Sequence, residues 1–413
     1  MLYLATDFCD IEQMDPTFPY VEHSSESILL GNDVAQFAIS GTRPVEAPCK
    51  ITFSIRRFPT VLVELENDED ISIGYSEITA HLLKSNVTFS AIPSSLRADD
   101  GHFIRVLQPN PDILEVGSTE DISTMSWLIY NGPWLWEANS QHRATFEVGG
   151  WYVSIEPPNR QPVLKCIESP IHKVTHRAVM RHADNSLFRP ASGVAMAQLV
   201  RYFLSFVAGH WTGLALIAGL DAKQELVFEQ WTSLHVDPPP HNQFGWYDRG
   251  VTLHELAPGF IRRLQDGVWG APFLDAMYWY LVANNQGTRA EAGLMVAQAA
   301  LELLSWTLLV LDRKTVTPSR FKKIRSATKI SWLFDELQIP RDIPPQLREL
   351  QASPARWKGA QDAITAIRND LVHPEKRGHE HLAYEAWQLA QWFIELVIFR
   401  LSDYNGKYSN RTV

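Results

Sequence analysis

Apolar and polar residues alternate along much of the first half of the chain and settle into a three-to-four period in the second. Gln36 to Ser40, Lys50 to Ile55, Val61 to Glu66, Ile71 to Tyr75, Val87 to Ala91 and Phe103 to Leu107 alternate and are separated by Gly, Pro, Asn and Asp. A period of two with one wet face is the pattern of strands in antiparallel sheets. A second group, Trp127 to Tyr130, Ala144 to Val148 and Trp151 to Ile155, predicts a hairpin turning at Gly149-Gly150. Residues 191 to 208 form the first helical stretch, with Val194, Leu199, Phe203 and Val207 among its apolar positions. Gly213 to Gly219 and Leu226 to Trp231 then predict a strand pair turning at Asp221-Ala222-Lys223.

Pro238-Pro239-Pro240 is the clearest punctuation, and a domain boundary is expected between Val236 and Gly250. Beyond it the spacing predicts helices over Leu253 to Leu264, Pro272 to Asn284, a long one carrying Leu294, Ala297, Leu301, Leu304, Leu308 and Leu311, and Ser326 to Leu337. A Pro-rich stretch runs from Pro340 to Pro354, and a last helix spans His379 to Leu401. The expected fold is therefore α+β: an antiparallel β-rich N-terminal domain over residues 1–240, with a helix near 191–208, followed by an all-α bundle over 250–413.

The helix over residues 360–373 bears the candidate chemistry. Ala360, Ile364, Ile367 and Leu371 form its apolar stripe, and Pro374 closes it. Arg368 and His373 lie five apart, a spacing that recurs at Arg97/His102, Arg177/His182 and Arg249/His254, whereas about one such pair is expected by chance from 25 Arg and 14 His in 413 residues. Only Arg368 is followed by a polar amide, Asn369; the others precede Ala98, Ala178 and Gly250.

Arg368-Asn369-Asp370-Leu371-Val372-His373 resembles the signature of the HEPN superfamily, an Arg, a polar residue, three further residues and a His. The β-rich front and helical rear are similar to its ApeA-like branch. That resemblance spans about residues 252–405; for the front half there is only a general likeness. It implies a metal-independent endoribonuclease, with Arg368, Asn369 and His373 catalytic, working as a homodimer whose paired bundles bring both motif helices to one cleft. It further implies an abortive-infection role, in which the residues 1–240 domain senses a phage-derived trigger or restrains the bundle.

Composition narrows the setting. With 45 % hydrophobic residues and 14 Trp, 413 residues suffice for two cores. Cys9, Cys49 and Cys166 are three, far apart and outside any metal-ligand spacing, which points to a reducing compartment. The first residues lack a basic segment and a long apolar run, so a secretory signal is not expected. Residues 202–220 are the most apolar stretch, but His210, Trp211 and Gly213 favour a buried helix and strand over a membrane span. A cytoplasmic protein without cofactor, metal or membrane partner is expected.

The net charge of −10 hides an asymmetry. Residues 251–413 hold 20 Lys and Arg against 17 Asp and Glu, leaving 17 against 30 for residues 1–250. Arg313, Lys314, Arg320, Lys322, Lys323, Arg325 and Lys329 follow one another without an intervening acid. They are either a solvated helix face or an RNA-binding path; Arg320, Lys322, Lys323, Arg325 and Lys329 are the candidate contacts.

RNA can be cut without a metal when its own 2′-hydroxyl attacks the adjacent phosphorus, because the nucleophile is already tethered. The His373 imidazole can serve as general base or acid; the Arg368 fork suits the non-bridging phosphate oxygens; and the Asn369 amide can orient either phosphate or imidazole. On a regular helix the two principal residues stand about 140° apart, but a residue before proline is steered out of α geometry. Several features have simpler readings. Asp362 or Asp370 can pair with Arg368, and His373 can be a helix cap. Glu302 can support the site by pairing with Arg368 or Arg289, or be an exposed flank. Trp134, Trp136, Trp151 and Tyr152 are core or a stacking surface, His210 and Trp211 a satisfied structural pair. His379 and His381 lack a third metal ligand. Asp370 remains a candidate supporting residue. A non-catalytic dimer that binds nucleic acid or protein is the alternative to the nuclease.

Overall fold

In the structure, a computed structural model, the residues described are 27–38, 43–54, 59–65, 77–97, 103–110, 113–135, 143–157, 174–234, 236, 246–247, 252–285, 287–353, 357–373, 375 and 378–412. The expected strand Ile71 to Tyr75 lies outside them, as do Cys9, Cys166, Trp136, Pro238 to Pro240 and Pro374. The protein is α+β, a β-rich N-terminal region with a closed six-stranded barrel followed by a helical C-terminal region. By its contacts the chain divides into two compact units, one of Met1–Leu128, Val179–Val194 and Leu214–His235, the other of Ile129–Ala178, Ala195–Gly213 and Val236–Val413.

Six strands make the barrel: β1 (Ser27–Ala38), β2 (Val45–Ser54), β3 (Thr60–Leu65), β4 (Ile78–Leu82), β5 (Val87–Arg97) and β6 (Phe103–Asn110). Their order is β1-β2-β3-β6-β5-β4, and β4 closes on β1 with Ala35 opposite Leu82 and Phe37 opposite Ala80. Alternate residues fill the interior, among them Ala35, Phe37, Ile51, Phe53, Val63, Ala80, Leu82 and Phe89, as a narrow barrel requires. Closure is pinned by Asp33. Its carboxylate accepts the backbone N–H groups of Lys84 (2.8 Å) and Ser85 (2.9 Å) and the Ser85 hydroxyl (2.7 Å), tying the β4–β5 turn to β1. Burial works against the charge, yet these donors hold the Asp33 carboxyl below its ordinary value.

The second sheet has the order β7-β13-β12-β8-β11-β10-β9, from β7 (Ile113–Gly117), β8 (Thr124–Tyr130), β9 (Ala144–Val148), β10 (Trp151–Glu156), β11 (Val174–His182), β12 (Gly213–Leu220) and β13 (Leu226–Thr232). β8 and β12 are buried along their whole length, so they read in sequence as apolar runs without alternation. The hairpin turns at Gly149 (φ 56°) and Gly150 (φ 81°), a left-handed pair that glycine adopts without strain.

α1 (Pro190–Ala208) ends in the second unit, where Phe203 and Phe206 face the helices. Phe206 packs against Trp246, Phe260, Tyr280 and Phe399 at centroid distances of 5.0, 5.3, 5.4 and 6.0 Å. The remaining helices are α2 (Leu253–Gln265), α3 (Gly270–Asn284), α4 (Ala290–Trp306, continued by a wide turn over Thr307–Asp312), α5 (Pro318–Lys323), α6 (Ser326–Glu336), α7 (Arg348–Ala352), α8 (Ala360–Val372) and α9 (Ala383–Leu401). α4 sits centrally, packed on α3, α6, α8 and α9 through Leu294, Ala297, Leu301 and Leu304. Two runs, α1 and Ala290–Asp312, are long and apolar enough to cross a membrane by length and composition; 56 % and 61 % of their most apolar windows are buried inside the protein.

Candidate functional site

α8 begins at Gly359, and the Ala360 N–H donates to the carbonyl of Arg341 (2.8 Å). Ala360, Ala363, Ile364 and Ile367 face the core with no measurable exposure. The stripe thus anchors the helix and turns its other face, carrying Arg368, Asn369 and Asp370, toward a half-buried environment. The helix stops at Val372. His373 is extended (φ −107°, ψ 98°), its N–H still donating to the Asn369 carbonyl at 2.9 Å. Its imidazole is exposed.

Neither nearby acid neutralises Arg368. The Asp362 carboxylate accepts the Lys358 N–H at 3.2 Å, and Asp370 Oδ2 lies 2.7 Å from Nδ1 of His379. The Arg368 fork reaches only the amide oxygen of Asn369, at a long 3.4 Å, and its buried Nε has no hydrogen-bond partner among the described residues. A half-buried guanidinium without a carboxylate is costly. The His379 ring that Asp370 holds is also met edge-on by Trp357, centroids 5.2 Å apart. His381 is exposed nearby, and no three His, Cys, Asp or Glu side chains cluster as metal ligands among the described residues.

Glu302 and Lys329 require correction together. Glu302 pairs with neither Arg368 nor Arg289; Lys329 Nζ donates to Glu302 Oε2 (3.2 Å), and Gln298 Nε2 to Oε1 (3.0 Å). Lys329 also lies 4.8 Å from the Phe321 ring centre, with its side chain 14 % exposed, so its ammonium faces inward. The physical reason is α6's packing on α4, which carries the inward face of α6 past Glu302.

The other basic residues, Arg313, Lys314, Arg320, Lys322, Lys323 and Arg325, are exposed. A small separate cluster of Leu309, Val310, Val316 and Phe321, flanked by Trp306, Ile324 and Trp332, supports them. The wide turn after α4 sends the chain outward, Lys314 takes a left-handed φ of 55°, and Thr317 caps α5 by accepting the Arg320 N–H. Arg320 lies over the Trp332 ring at 5.4 Å. Among the aromatics singled out from sequence, Trp151 is buried and Trp134 and Tyr152 are half-buried. Both ring nitrogens of buried His210 face backbone carbonyls, of Ala208 and Asn131.

A buried polar cluster escaped the sequence reading. Tyr280 donates to Glu395 Oε1 (2.7 Å), Arg411 Nη2 pairs with the same oxygen (2.9 Å), and Arg411 and Gln391 both donate to Asn284 Oδ1. Burial raises the Glu395 carboxyl above its ordinary value despite the Arg411 charge. The signal was present as a lone acid inside the apolar run Trp392 to Phe399.

The pattern describing the YopA C-terminal domain matches residues 266–413, which include all of Arg368 to His373, and that of the YopA central domain matches residues 128–242. The SPbeta prophage-derived uncharacterized protein YopA of Bacillus subtilis (strain 168) is 24 % identical over 248 residues, 58 % of this chain and 54 % of that protein. The chain thus spans about half the length of this curated relative. No solved structure matches the chain.

Proposed function

We propose that this chain is a metal-independent endoribonuclease whose helical region is a HEPN bundle acting as a homodimer. The observation that carries this is a half-buried Arg368 left unpaired by the two acids on its own helix, five residues before an exposed, extended His373. A structural arginine at this depth would pair with Asp362 or Asp370; a guanidinium that neither acid takes, with an exposed imidazole at the end of the same helix, suits an incoming phosphodiester. His373 takes the 2′-hydroxyl proton, the 2′-oxygen attacks phosphorus, and Arg368 and Asn369 hold the non-bridging oxygens. The products are a 2′,3′-cyclic phosphate and a 5′-hydroxyl. The exposed basic residues on α5 and its flanks guide the RNA backbone. The prophage origin of the YopA relative supports a setting of phage conflict in the cytoplasm, with the β-rich region receiving a phage-derived trigger.

Purified protein incubated with labelled transfer RNA in EDTA tests the reading. Wild type cuts and leaves cyclic phosphate ends, while Arg368→Ala and His373→Ala lose roughly 10²- to 10⁴-fold in rate. Equal cleavage by all three would remove Arg368 and His373 from the chemistry, and none by wild type with RNA still bound by a dimer favours the binding scaffold instead.

A further inference from the structure

One imidazole does not serve both ends of the proposed reaction. In-line displacement places the entering 2′-oxygen and the leaving 5′-oxygen on opposite sides of phosphorus, so the base that takes one proton is poorly placed to supply the other. The end of α8 offers a second candidate. His379 Nδ1 lies 2.7 Å from Asp370 Oδ2, the ring rests edge-on to Trp357, and the side chain is one third exposed, at 34 %. Asp370 is one turn from His373, so the pairing fastens a second imidazole to the turn that presents the first. His381 and Glu375 are exposed in the same segment, but neither is held by a carboxylate among the described residues.

A carboxylate on Nδ1 orients the ring and leaves Nε2, on its opposite side, to act. Building on the ribonuclease reading, we propose that His379 is a catalytic residue, the general acid for the leaving 5′-oxygen, with Asp370 as its positioning residue. The O2′–P bond forms as the P–O5′ bond breaks; the 2′-hydroxyl proton passes to His373, and the Nε2 proton of His379 passes to O5′. The competing account is mechanical, that the pair only pins the short turn Glu380–Leu382 to α8.

Two substrates separate these accounts. RNA leaves as a poor alkoxide that needs a proton, whereas a ribonucleoside 3′-(p-nitrophenyl phosphate) leaves as a stable phenolate that does not. His379→Ala is expected to lose about 10²- to 10⁴-fold on RNA and less than about tenfold on the ester, while His373→Ala loses on both. Asp370→Asn falls between wild type and His379→Ala on RNA and retains the ester reaction. His379→Asn keeps an amide N–H where Nδ1–H stood, preserving the pin without the acid, and is expected to be as inactive on RNA as His379→Ala. Active His379→Asn, equal losses on both substrates, or no loss in His379→Ala would overturn the assignment while leaving the nuclease intact. A wild type that cuts neither substrate would remove the nuclease and this inference together.

Discussion

Lys329 Nζ lies 3.2 Å from Glu302 Oε2, joining α6 to α4 across a half-buried seam. The pair removes from the basic run the one ammonium that packs inward. Lys329→Met is expected to destabilise the protein by about 1–2 kcal/mol, between the values for exposed and fully buried pairs. Lys322→Ala or Arg325→Ala should stay within about 0.5 kcal/mol of wild type. Urea unfolding followed by tryptophan fluorescence measures all three.

The exposed cations should show a different signature. Replacing Arg320, Lys322, Lys323 and Arg325 together by Ala is expected to flatten the salt dependence of RNA binding, by roughly 0.7 in the log–log slope for each phosphate that is no longer neutralised. Lys329→Met should leave that slope unchanged. Binding isotherms over a salt series distinguish the two variants, and identical slopes in wild type and the quadruple variant would exclude this surface.

Arg411 and Glu395 form a buried pair with side chains 5 % and 0 % exposed. Arg411→Ala leaves Glu395 uncompensated and is expected to cost about 3–5 kcal/mol. Replacing both, as in Arg411→Met with Glu395→Leu, should cost less than the single change, because no charge is then stranded. The comparison is a thermal-unfolding series.

The two acids give opposite responses to pH. Burial raises the Glu395 carboxyl above its ordinary 4.5, with Arg411 and the Tyr280 hydroxyl only partly offsetting it. Native protein then binds more protons than the unfolded chain between 4.5 and the raised value, so this contribution is full below 4.5 and lost as pH rises through the native value. For Glu302, burial pushes upward, but hydrogen bonds from Gln298, Ser326 and Lys329 outweigh it and hold the carboxyl below 4.5. Its contribution is present above 4.5 and lost as pH falls through the lowered value. Glu395→Gln should flatten the stability profile above pH 4.5 and Glu302→Gln below it, as read from urea midpoints across the acid range.

Gly259 in α2 meets the chain just past α9, where an added Cβ would collide with the Ser402 carbonyl oxygen. Because the obstacle is backbone, it has little room to yield. Gly259→Ala is expected to cost about 1–3 kcal/mol or more, whereas Gly267→Ala, where a Cβ meets nothing within 4 Å, should not. Melting temperatures of the two variants check this.

What the chain's own order of residues determined is the local part. Alternation placed strands such as Val61 to Glu66, found as Thr60–Leu65, and the three-to-four period placed Ser326 to Leu337, found as Ser326–Glu336. The hairpin at Gly149-Gly150 and the helix over 191–208 were equally legible, since pleat, helical turn and left-handed glycine each depend on a few consecutive residues. β4 and β11 were not, because their short or polar-edged runs gain their definition from neighbours in the sheet. Partner choice was decided only in three dimensions. Barrel closure by β4 on β1, Lys329 turning to Glu302, Asp370 taking His379 instead of Arg368, and Arg411 reaching Glu395 all join residues brought near by packing. A charge that becomes buried needs a partner; its identity follows from which helix faces meet, and that is a property of the whole fold.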